Sequence, residues 1–178
     1  MDLPEYREFV RLHDRRLYNA MLAYLGEREE ALDVTQEALL AAFRAYEKFR
    51  GQSDPFTWLY RIAVNIAKRR YRREQRREEL RTHHLTVVPG AEQVDPRTPE
   101  SELLGQEKDR LLREAISRLP EDQRSAVILM YLENKSYEEI AAFQGCSVGT
   151  VKSRLHRARI QLARLLNKEE KWRRSCRS

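Results

Sequence analysis

Apolar side chains recur at three- and four-residue intervals along most of this chain, and no stretch shows the two-residue alternation of a half-buried strand. Three such stripes come first, from about Pro4 to Leu25, from Glu29 to Phe49 and from Pro55 to about Arg81. Gly26 and the segment Arg50-Gly51-Gln52-Ser53-Asp54 separate them, and Pro55 stands where the first turn of a helix tolerates proline. From Thr82 to about Gly105 the stripe is lost; this stretch carries three prolines, and Glu92, Asp95, Glu100 and Glu102 are opposed only by Arg97. Such a composition predicts a flexible, acidic linker. Beyond it the pattern predicts a helix to about Arg118, a break at Leu119-Pro120, a helix from Glu121 to Glu133, a short one from Tyr137 to Gln144 and a long one after Ser147. The expected fold is all-α, with two small helical domains over 1–81 and 106–178 joined by the linker 82–105, the second ending in a basic tail.

The segment from Ser136 to Arg159 reads as a helix-turn-helix from its caps. Ser136 with Glu139 forms a capping box, Gly145 suits a left-handed turn, and Ser147 is a natural N-cap for the second helix. Ala141 allows close helix approach, and Ile140, Val148 and Val151 fill the space between the two helices. At 3.6 residues per turn Val151, Leu155, Ala158 and Leu162 share the buried face. Gly149, Ser153, His156 and Arg157 lie opposite, with Thr150 and Lys152 beside them and Arg154 and Arg159 at the edges. Because recognition helices insert their first turns into the major groove, Lys152, Ser153, His156 and Arg157 are the base-edge candidates. Arg154 and Arg159 stand where they can reach phosphates, and Thr150 flanks the base-reading set.

The third helix divides its work by length. Its first half buries Trp58, Leu59, Ile62, Ala63 and Ile66, while Arg61, Asn65, Lys68 and Arg72 form an adjacent polar stripe. From Lys68 to Arg81 there are eight Lys and Arg against three Glu, a density suited to a nucleic-acid backbone. The preceding loop, Phe49 to Phe56, lies beside Trp58 and Tyr60, where an unstacked base could be held; for Trp58 itself ordinary core packing is the favoured reading. On the second helix an apolar stripe of Leu32, Leu39, Ala42 and Phe43 accompanies a patch of Asp33, Gln36 and Glu37, which in a basic protein suits a protein partner.

Composition narrows the field. Over 178 residues, 34 Lys and Arg against 28 Asp and Glu give a formal charge of +6, which favours an anionic partner. Cys146 and Cys176 make no CxxC pair, so neither a disulfide framework nor a zinc site is expected. His13, His83, His84 and His156 lack HExxH spacing, and no Gly-rich phosphate loop or nucleophile motif is seen, so no catalysis, metal or cofactor is expected. The charged N-terminus and the lack of any run near the ~18 apolar residues of a membrane span lead to the expectation of a cytoplasmic, uninserted protein. A conventional helix-turn-helix regulator is the rival, but the acidic patch and the separate basic helix argue against it.

These residues resemble the extracytoplasmic-function (ECF) class of the sigma-70 family over nearly the whole chain. ALDVTQEALLAAFRAY is similar to sigma region 2.2, FTWLYRIAVNIAKRR to regions 2.3 and 2.4, and LPEDQRSAVILMYLENKSYEEIAAFQGCSVGTVKSRLHRARIQL to region 4. The resemblance implies an initiation factor for core RNA polymerase. Leu32, Asp33, Gln36 and Glu37 would contact the coiled coil of the beta-prime subunit, and region 4 the beta flap. Arg61 and Asn65, with Lys68 and Arg72 on the same stripe, would serve the −10 element, and Lys152, Ser153, His156 and Arg157 the −35 element of promoter DNA. The linker would thread the polymerase cleft, and an anti-sigma factor is the expected regulator.

Overall fold

The computed structural model describes residues 3–46, 49, 51, 53–81 and 100–176. Among them the secondary structure is helical: α1 (Leu3–Leu25), α2 (Arg28–Ala45), α3 (Pro55–Arg81), α4 (Glu100–Ser117), α5 (Glu121–Val127), α6 (Tyr137–Gln144) and α7 (Val148–Cys176). The linker reading over 82–99, with His83 and His84, lies outside the described residues, and α4 begins at Glu100, inside the stretch expected as linker.

Local chemistry explains the boundaries. The Glu27 carboxylate accepts from the backbone N–H of Glu29 and Glu30 at 3.1 Å and opens α2. Asp54 opens α3, accepting from the Thr57 N–H at 3.0 Å and its hydroxyl at 3.1 Å, with Pro55 in the first turn. α2 ends at Ala45 rather than reaching Phe49, whose N–H donates to the Tyr46 carbonyl at 2.9 Å. α5 runs into a π-helical turn over Ile128–Leu132, where the Glu133 N–H reaches the Ile128 carbonyl at 3.2 Å. Asn134 follows in the left-handed region at φ 51°.

The N-terminal module packs α1 against α2 and α2 against α3, with Leu17, Met21, Val34, Phe56, Leu59 and Ile66 fully buried. The inward face of α2 is shifted from the one expected: Ala42 is buried and Leu39 partly so, as expected, but Ala31, Val34, Thr35 and Ala38 join them, whereas Leu32 and Phe43 are 49% and 46% exposed. Small residues win because they let α1 and α3 approach closely, which displaces the larger side chains to the surface. In the C-terminal module α7 packs on α4, α5 and α6, burying Val151, Leu155 and Ala158 beneath Ile128, Leu129 and Ile140. Each such aliphatic side chain contributes about 1.5–3 kcal/mol on transfer from water.

The two modules touch, and one continuous core runs through both. α4 lies on α1, and the α1–α2 turn meets it so closely that a Cβ on Gly26 (φ +83°) would sit 2.7 Å from the Ser117 hydroxyl. Arg124 of α5 donates to the Tyr24 carbonyl at 2.9 Å and lies over the Tyr24 ring at 4.9 Å.

Candidate nucleic-acid and polymerase interfaces

The helix-turn-helix forms as its caps require. Ser136 Oγ accepts from the Glu139 N–H at 3.1 Å, and Glu139 Oε2 accepts from the Ser136 N–H at 2.8 Å. Gly145 takes the left-handed conformation at φ 61°, and the Cys146 N–H closes the turn on the Ala141 carbonyl at 3.1 Å. Ser147 Oγ then accepts from the Thr150 N–H at 3.2 Å. With Val151, Leu155 and Ala158 buried, Lys152, Ser153, His156 and Arg157 are exposed together on the opposite side.

The remaining candidates of this module are held by their own fold. The Thr150 hydroxyl pairs with Ser147 Oγ at 2.9 Å. Arg154 donates to Asp122 at 2.5 Å and Gln144 at 2.7 Å, with the Cys146 sulfur at 3.3 Å, so it ties α7 to α5 and α6. Arg159 donates to the Tyr131 hydroxyl at 2.8 Å. Neither guanidinium extends freely from the edge of α7, because each finds an acceptor across the module.

On α3, Leu59, Ala63 and Ile66 are buried as expected, but so are Phe56, Tyr60, Val64 and Ala67. Phe56 lies against His13 and Arg16 of α1, whereas Tyr60 and Val64 meet the C-terminal module: the Phe143 ring of α6 lies 5.5 Å from Tyr60 and beneath the Arg61 guanidinium at 4.7 Å. Lys68 is ion-paired with Glu121 of α5. A cleft of about 170 Å³ remains between the modules, lined by Arg61, Val64, Asn65 and Lys68 on one side and Glu121, Asp122, Ser125, Phe143 and Gln144 on the other. Arg72 is exposed one turn further on. Trp58 is half-buried among Phe9, Tyr46 and Phe49, with ring centroids 4.7 to 6.4 Å away, an aromatic cluster of the core-packing kind. In the loop before it, Arg50 and Gln52 lie outside the described residues.

α2 exposes Leu32, Asp33, Gln36 and Glu37 together, and Leu40 (61% exposed) and Phe43 prolong the patch. Its acidity is partly spent on a residue the sequence did not single out. Arg70 of α3 donates to Glu37 at 2.7 and 3.0 Å and to Asp33 at 3.4 Å, a pairing across more than thirty residues that no local spacing signals. At the module boundary Lys135 bridges Asp54 at 2.9 Å and Glu139 at 3.5 Å, and Glu133 pairs with Arg16. Burial pushes the Glu133 carboxyl above its ordinary value although Arg16 opposes the shift. Asp54 is partly buried, which raises its value, yet the bonds from Lys135 and Thr57 hold it below the usual range.

Residues 9–77 match the family model of Sigma-70 region 2, and residues 109–162 that of Sigma-70, region 4. Over 162 residues the chain is 38% identical to the ECF RNA polymerase sigma-E factor of Haemophilus influenzae, covering 89% of this chain and 85% of that one. The chain belongs to the ECF family of RNA polymerase sigma factors. This sigma factor is also 37% identical over 151 residues to the RNA polymerase sigma-H factor of Pseudomonas aeruginosa, covering 83% and 78% of the two chains. It is 41% identical over 133 residues to the ECF sigma-E factor of Escherichia coli, covering 71% and 69%. Its fold matches that of the Bartonella quintana sigma factor RpoE, solved in complex with the anti-sigma factor NepR, at a TM-score of 0.72 and 25% identity over 93% of this chain and 98% of that one. CnrH, solved in complex with the cytosolic domain of CnrY, shares the fold at a TM-score of 0.65 and 22% identity over 94% and 90%.

Membership assigns this sigma factor a general role in binding core polymerase and recognising DNA, not a reaction of its own. Among the described residues no group of three or more His, Cys, Asp or Glu could hold a metal, and no helix is long and apolar enough to cross a membrane.

Proposed function

We propose that this sigma factor directs core RNA polymerase to promoters with separate −10 and −35 elements. Lys152, Ser153, His156 and Arg157 read the −35 element in the major groove; their joint exposure opposite a fully buried stripe is the observation that carries the reading. Arg61, Asn65, Lys68 and Arg72 serve the −10 element, and the basic end of α3 follows the DNA backbone. Leu32, Asp33, Gln36 and Glu37 dock on the coiled coil of the beta-prime subunit, with the C-terminal module on the beta flap. The exposed apolar and acidic side chains of α2 suit a protein surface better than DNA.

The protein works in the cytoplasm, and an anti-sigma factor restrains it. The fold match to RpoE, solved with NepR, supports that partner. Multi-round transcription on a pool of promoter fragments, with purified core polymerase and with or without this protein, tests the whole reading. Transcripts that require the protein establish sigma activity and yield both elements; tight polymerase-independent binding to a palindromic duplex, with no transcripts, refutes it.

A further inference from the structure

α7 carries one side chain on its polar face that does not share the chemistry around it. Ile160 is 43% exposed, and among the described residues it is the only large apolar side chain of α7 left in solvent; Val148, Leu162, Leu165 and Leu166 are partly buried. At about 100° per residue it falls within about 60° of Gly149, Ser153, His156 and Arg157 around the helix, on the side opposite Val151, Leu155 and Ala158. Its neighbours leave it uncovered. The Arg157 guanidinium donates from Nε to the Ser153 carbonyl at 3.3 Å and so folds back toward the start of the helix, and the Ser153 hydroxyl donates to the Gly149 carbonyl at 3.1 Å. Because helical side chains lean toward the N-terminus, Ile160 covers the turn that holds His156 and Arg157.

From this placement we infer that Ile160 is a further specificity-determining residue of the −35 face, taking the 5-methyl group of a thymine in the major groove. The inference rests on the reading of Lys152, Ser153, His156 and Arg157 as the −35 contacts. From Lys152 to Ile160 the helix rises about 12 Å, which is about the width of the major groove, so the five side chains together span it. Base edges present donors, acceptors and one kind of apolar group there, the thymine methyl. Of these only the methyl suits a side chain with no polar atom, since a phosphate or a polar base edge pressed against Ile160 would lose water and gain no hydrogen bond. Burying that methyl against Ile160 is expected to favour thymine about three- to fivefold over the same base without it.

The test uses the full chain assembled with core polymerase, on the promoter that the transcription assay yields. Each thymine of the −35 element, on either strand, is replaced singly by deoxyuridine, which removes the 5-methyl group and keeps every hydrogen-bonding atom. In competition binding the wild type should prefer the thymine promoter about three- to fivefold at one position, and Ile160→Ala should bind the two promoters equally there. Because a loss of fold weakens both promoters alike, their ratio separates reading from folding. An element in which no thymine methyl matters to the wild type, or a preference that Ile160→Ala retains, overturns the inference. Arg157→Ala on a library of −35 variants then tells which reading has failed: altered base preference in that variant removes Ile160 alone, whereas unaltered preference removes the −35 face with it.

Discussion

α3 and α7 are built on the same plan, each with an apolar stripe facing its own module and a cationic stripe turned away from it, yet only α3 has a second module packed beside that stripe. α7 is covered on one side by α4, α5 and α6, and Lys152, Ser153, His156 and Arg157 on its other side stay in solvent. α3 packs on α1 and α2, and Phe143 and Glu121 of the C-terminal module meet Tyr60, Arg61 and Lys68 along one edge, so Tyr60 and Val64 are buried beside a polar stripe whose Arg61, Asn65 and Arg72 stay exposed. An amphipathic pattern therefore states which face a helix gives to its own module; it does not state what a second module will do with the other. The fully buried Tyr60 hydroxyl lies beside Ser125 of α5, where the two modules meet.

The contrast can be broken first at the core of α7. Leu155→Ala removes a fully buried side chain and should cost about 2–5 kcal/mol, lowering the denaturant midpoint and abolishing −35 dependence. Next comes the reading face itself. Arg157→Ala should leave stability unchanged but cost about 1–3 kcal/mol of discrimination at one −35 position, seen as altered preference across a promoter library. Unaltered preference would mean that α7 presents a different face to DNA.

Arg154 sharpens the contrast further. The pattern alone sets it at a phosphate-reaching edge, whereas its bonds to Asp122 and Gln144 make it a brace. Because Asp122 is largely solvent-exposed, Arg154→Ala should cost only on the order of 1 kcal/mol, lowering the melting temperature without flattening the salt dependence of promoter binding. A flattened salt slope would instead make Arg154 a phosphate contact.

The smallest effect is one of pH at the module boundary. Glu133 has its folded value raised above the ordinary 4.5, so its neutral form is favoured by folding, and its contribution is fully present below that value and lost as pH rises through the raised one. Asp54 acts with the opposite sign: its contribution is present above its ordinary 3.8 and lost as pH falls through its lowered value. Unfolding stability should therefore decline with rising pH just above 4.5 by an amount that Glu133→Gln removes. An unchanged slope in that variant would place the titration elsewhere.

Helix content, the two modules, the caps of α6 and α7 and the exposed set Lys152, Ser153, His156 and Arg157 could all be worked out from the chain, because each depends on residues within a few positions of one another. The Ser136–Glu139 box and Gly145 act over one turn, and a stripe at 3.6 spacing needs no knowledge of its neighbour. What lay out of reach depends on partners brought together from afar. Small residues on α2 won its buried face because α1 and α3 approach closely, which put Leu32 and Phe43 outside. Arg70 found Asp33 and Glu37, Arg154 found Asp122, and Glu121 found Lys68, each across a separation that no local period encodes. The chain by itself determined which charged and apolar side chains share a helix face, since charge and periodicity are local properties. Only the tertiary structure decided which of them are uncovered, because exposure belongs to the packing of whole modules and not to any one helix.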